Sequence, residues 1–106
     1  MVTLTDIKTY LRIDDNSNDD LLILLKESAI ATMRQSITDF EIKYKAAEEE
    51  ENPDFIKIAD LCTVILIAEL YDKRIGDGTQ AIRYSYIAGN MLEILEYYPV
   101  EVTEEE

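Results

Sequence analysis

The run Leu61-Cys62-Thr63-Val64-Ile65-Leu66-Ile67-Ala68-Glu69-Leu70 constrains this chain more than any other segment. Pro53 and Asp54 make a helix start before it, and Lys73 and Arg74 suit the negative end of a helix dipole after it, so one helix is predicted from about Pro53 to Arg74. Over residues 61–71 that helix is apolar nearly all round and must be covered on several sides. A chain of 106 residues has the size of one domain. So small a bundle is expected to leave part of this helix for neighbouring subunits to cover. The run contains Glu69 and is about half as long as a bilayer-spanning helix, so no membrane span is expected.

Helical spacing elsewhere completes an all-α reading, a small bundle of about four helices. A short first helix is predicted over residues 6–12, capped by Thr5, with Ile7, Tyr10 and Leu11 on one stripe. The Asp, Asn and Ser residues of 14–18 read as a turn. Asn18 or Ser17 then caps a second helix reaching about residue 39, whose apolar positions Leu21, Leu25, Ala29, Met33 and Ile37 are widened by Leu22 and Ile30. Between Phe40 and Asn52 the spacing degrades into lysines, alanines and the four glutamates Glu48 to Glu51. That stretch is expected to be a frayed extension and an acidic linker at about 41–52. After the long apolar helix, Gly76 offers a left-handed end and residues 76–79 a loop. A last helix then begins between Gln80 and Ser85 and stops before Pro99, weakened by Gly89. Residues 1–98 thus read as a single helical domain, and 99–106 as a loose acidic tail.

Charge and composition exclude several chemistries. Ten Lys and Arg stand against 23 Asp and Glu, a net charge of −13, which argues against a basic surface for DNA. With no His and one Cys, the commonest acid–base group, an intramolecular disulfide and a thiolate metal cluster are all missing. The expectation is a non-enzyme without cofactor or metal. The amino terminus has no basic patch before an apolar run, so an intracellular protein is expected.

Five features invite a functional reading. Asp14, Asn16 and Asn18 occupy the first, third and fifth places of a calcium loop, but Asp19 stands where that loop needs Gly and Leu25 where it needs Glu, so a capped turn is preferred. Cys62 lies among apolar neighbours and reads as core. Glu69 in the same helix needs a partner, expected from a Lys or Arg on the first or last helix, or else from another subunit. Tyr84, Tyr86, Tyr97 and Tyr98 could stack on single-stranded bases but lack a basic groove. They are read instead, with Val100 and Val102 of the tail, as core and interaction surface. Glu48 to Glu51 and Glu104 to Glu106 read as solubilising charge.

Three segments, taken in order, resemble the bacteriophage head-tail connector family, also called adaptor or head-completion proteins. The first is Leu4-Thr5-Asp6-Ile7-Lys8-Thr9-Tyr10-Leu11-Arg12-Ile13-Asp14, similar to the family's helix start, Lys and Tyr-Leu-Arg-Ile-Asp. Asp19-Asp20-Leu21-Leu22 with Leu25 and Ala29 follows, and then Ala68-Glu69-Leu70-Tyr71-Asp72-Lys73-Arg74. The long acidic linker, and the lack of a Gly-rich turn after the second helix, depart from the family pattern. The resemblance implies a structural virion component, assembled in the host cytoplasm, of a tailed phage or prophage. Subunits would form a ring on the portal, usually twelve-fold in relatives, that need not form before the portal supplies a template. The ring would complete the head after DNA packaging and join it to a stopper or tail-completion protein. DNA would pass through it without sequence-specific binding. Charge alone supports an alternative, a small acidic regulator, inhibitor or antitoxin-like, that binds a basic partner.

Overall fold

The computed structural model of the chain describes residues 2–49, 53–74 and 78–98. Among them are five helices: α1 (Leu4–Leu11), α2 (Asp19–Ser36), α3 (Phe40–Glu49), α4 (Pro53–Arg74) and α5 (Ala81–Glu96). The all-helical expectation holds, but with five helices rather than about four. The additional one, α3, occupies most of the stretch where a frayed extension and linker were expected.

Local chemistry sets the start of α1. The Thr3 hydroxyl oxygen accepts from the Asp6 amide at 3.1 Å, and the Asp6 carboxylate accepts from the Thr3 amide at 3.0 Å. This reciprocal cap begins the helix two residues before the expected start, with Thr3 in the role assigned to Thr5. At the other end Arg12 takes the left-handed conformation, φ 57°, and the Ile13 amide reaches back to the Lys8 carbonyl at 2.9 Å, so α1 stops one residue earlier than expected.

Helix α2 buries Leu22, Leu25, Ala29 and Met33, four of the residues assigned to its stripe. It stops at Ser36 rather than near residue 39, because Ile37 turns extended (φ −118°, ψ 119°) and drops its side chain into the core. Asp39, at φ 55°, then redirects the chain into α3. Phe40, Tyr44 and Ala47, spaced by four and three, form the buried face of α3, and the Phe40 and Tyr44 rings meet edge to face at 5.9 Å. Polar neighbours masked this short stripe in the sequence.

Helix α4 has the bounds its sequence predicted and is the axis of the fold. It packs against each of the other four helices, most extensively α5. Residues 62–68 are all buried. Residues 62–68 thus find their cover within the chain, because α1 and α3 add cover beside α2 and α5, and the expectation that part of the helix would stay uncovered is reduced to Leu61, its one large apolar side chain among the described residues left substantially exposed. Thr63, polar and buried, donates its hydroxyl to the Ala59 carbonyl at 2.8 Å, with the Met33 sulfur 2.9 Å from the same oxygen.

Helices α4 and α5 run antiparallel, since Phe55 near the start of α4 meets Tyr98 just past the end of α5, ring to ring at 5.6 Å. The Asp72 carboxylate accepts from the Gln80 amide at 3.1 Å, linking the last turn of α4 to the first of α5. Gly78 supplies the left-handed position there, at φ 79°; Gly76, expected to do so, lies outside the described residues. Helix α5 passes unbroken through exposed Gly89, and a methyl group there would meet nothing within 4 Å. Gly89→Ala should therefore stabilise the fold by about 0.5–1 kcal/mol. Urea denaturation will show this as a higher midpoint with an unchanged slope.

Candidate interaction surfaces

The turn between α1 and α2 is organised around an ammonium group. Lys8 Nζ lies 2.7 Å from Asn16 Oδ1 and 2.9 Å from Asp19 Oδ1, and the ion pair with Asp19 is partly buried. Ser17 donates to Asp15 Oδ1 from its hydroxyl at 2.8 Å and its amide at 3.2 Å, and these bonds hold the Asp15 carboxyl below its usual range. Asn16, one of the three residues placed at calcium-loop positions, thus turns its carbonyl to Lys8. The ion pair also joins the Lys of the first connector-like segment to the acidic pair of the second.

All but Arg74 of the third such segment have a place in the fold. Ala68 is buried, Leu70 and Tyr71 pack on the core, and Asp72 holds the start of α5. Glu69 is 12 % exposed, and Lys73 Nζ, one turn further along the same helix, lies 3.5 Å from its carboxylate. The partner thus comes from α4 itself rather than from the first or last helix.

A second polar clamp fastens the end of α5. Glu96 accepts from the Thr38 amide at 2.8 Å, which lowers its pKa, and the Glu96 carbonyl accepts from Lys43 Nζ at 2.9 Å. One residue thereby ties α5 to the corner between α2 and α3, 58 positions away in sequence. Nothing in the local pattern around Glu96 signals this contact.

The four tyrosines divide into two pairs. Tyr84 and Tyr98 pack against the core, whereas Tyr86 and Tyr97 are 73 % and 81 % exposed. Val100 and Val102 lie outside the described residues. Ile82, not singled out in the sequence, is 82 % exposed and stands one turn before Tyr86. Ile87 and Ile94 extend this outward side, so half of the large exposed apolar residues among those described belong to α5 and its final turn. Ile23 and Leu24 on α2 are exposed as well. Exposed large apolar side chains thus occur on all five helices, most of all on α5, and none lies among residues 62–68 of α4.

Among the described residues no three His, Cys, Asp or Glu side chains converge to hold a metal ion, and no helix is long and apolar enough to cross a membrane. A family model for phage gp6-like head-tail connector proteins matches residues 1–98. The chain belongs to that family. It is accordingly a phage structural protein, and the match takes in all five helices. No curated protein and no solved structure matches it.

Burial decides how the two titratable groups of the interior respond to alkali. Cys62, packed against α5, has its pKa pushed up to about 12 by burial, and Tyr44 is raised by burial and by donating to Asp60 at 2.9 Å. Both hold their protons more tightly when folded, so the stability they confer is full below the unfolded values and is lost as pH rises through the folded ones. The denaturation midpoint should fall as pH rises from about 9 towards 12. Cys62→Ala, less stable at neutral pH, should fall less steeply over that window.

Proposed function

We propose that this protein forms a ring on the portal of a tailed phage or prophage, completing the head after DNA packaging and joining it to a stopper or tail component. The family match over residues 1–98 carries this reading, because it places the helical part of the chain among head-tail connectors. The chain's chemistry suits the task. A net charge of −13 repels phosphate, so DNA can pass without adhering, while the exposed tyrosines and isoleucines of α5 supply apolar area for protein contacts. The acidic-regulator reading drawn from charge has no counterpart in the family match.

Residues 99–106, which begin two positions after the exposed Tyr97 and carry Val100 and Val102, are assigned to attachment at the portal. Their removal should leave the melting temperature unchanged and weaken portal attachment in a pull-down; full attachment would exclude this role for the tail. A phage lacking the whole product should yield filled or leaking capsids without tails in electron microscopy. Tailed, infectious particles made without it would overturn the proposal.

A further inference from the structure

At roughly 100° per residue, Ile82, Tyr86, Gly89, Glu93 and Tyr97 fall within about 80° of one another on the outward side of α5 and its final turn, and all five are exposed. Ile82 and Tyr86 occupy one end of this stripe and Tyr97 the other. Its middle is open, because Gly89 has no side chain and a methyl group there would meet nothing within 4 Å. Nothing among the described residues calls for a glycine at this point, where it weakens the helix. A second backbone approaching closely does call for one. Charge is ordered along the same side. Arg83 borders the stripe near its start and Glu93 lies in it near its end, both exposed, and neither has an ion-pair partner among the described residues. The helix holds them about 15 Å apart along its axis, so they do not pair within one chain.

We infer that this face of α5 pairs with the same face of a second copy, the two helices running antiparallel and meeting at Gly89, in a closed twofold dimer of the free chain. Charge sets the direction. Parallel copies would put Arg83 against Arg83 and Glu93 against Glu93, whereas antiparallel copies put each Arg83 beside the Glu93 of the other, giving two ion pairs per dimer. Shape sets the register. With Gly89 opposite Asn90 of the second copy, Tyr86 stands over its Glu93 and Ile82 over its Tyr97. Beside Ile82 and Tyr86 is an open hollow of about 360 Å³, lined also by Ala81 and Ser85, and the Tyr97 ring of the second copy falls at its rim. Repulsion between two chains at −13 opposes any contact of this kind, so the dimer needs salt to screen it. A contact that uses the same face on both copies stops at two. The dimer is therefore a state of the chain outside any ring, in which Ile82, Tyr86 and Tyr97 are shielded from water until another partner takes the face.

Sedimentation equilibrium of the full chain, from about 10 μM to about 1 mM in about 150 mM salt, should show monomers and dimers and nothing larger. Gly89→Leu should raise the dissociation constant about tenfold without lowering the urea midpoint, since the position is open within one chain and closed between two. Arg83→Glu and Glu93→Arg should each weaken the dimer about tenfold. An equimolar mixture of these two variants should restore it, because each chain then supplies the charge that the other lacks. So should the double swap within one chain, which only an antiparallel pairing satisfies. A monomer across the whole range would overturn the inference and leave the face to a different protein. A dimer indifferent to Gly89→Leu, a mixture or double swap no tighter than the single variants, or growth beyond two copies would overturn it as well. None of these outcomes bears on the connector role, which is judged by whether tailed particles form.

Discussion

Seven consecutive helical residues, 62–68, are withdrawn from water at once, and every other helix is placed by that requirement. A helix buried on one stripe needs one neighbour, whereas a helix buried all round needs neighbours on every side. Each fully buried aliphatic side chain contributes about 1.5–3 kcal/mol relative to exposure, so the segment repays an arrangement in which four short or amphipathic helices surround one. α5 and α2 take the largest shares, while α3 and α1 close the gaps.

Polar contacts then fix the directions in which those helices leave the core. Lys8 bridges to Asp19 and Asn16 and holds α1 against the start of α2. Asp72 receives the Gln80 amide where the chain reverses into α5, and Glu96 ties the far end of α5 to Thr38 and Lys43. Because α5 is tied near both ends, its outward side is held still, and Ile82, Tyr86 and Tyr97 stand on a rigid support. That rigidity lowers the ordering cost of a protein contact. The connector-like segments acquire a common meaning here: most of their residues hold the scaffold together, and the exposed apolar side chains of α5 lie outside them.

What the chain offers to a partner is thus a matter of remainder. Apolar residues that α4 does not use for its own cover are left exposed on its neighbours, most of them on α5. A long apolar helix suggested that neighbouring subunits would cover part of it. Packing within the chain made the most apolar segment the hidden axis, and its neighbours carry most of the exposed large apolar side chains.

The sequence by itself determined the all-helical class, the bounds of α4, the place of α5 and the connector resemblance. These depend on short-range signals: proline and acidic residues at starts, basic residues and glycine at ends, and apolar spacing within one helix. The cap at Thr3 and Asp6 was legible by the same rule, since hydroxyl and carboxylate stand three residues apart, although Thr5 offered a competing cap. Tertiary structure alone decided that residues 62–68 are covered within one chain, that the weak stripe of Phe40, Tyr44 and Ala47 becomes a helix, that Glu96 reaches Thr38, and that Tyr84 and Tyr98 turn inward while Tyr86 and Tyr97 turn out. In each case the deciding neighbour is distant in sequence, and which side of a helix meets water follows from the shape of the whole assembly rather than from the order of residues along any one helix.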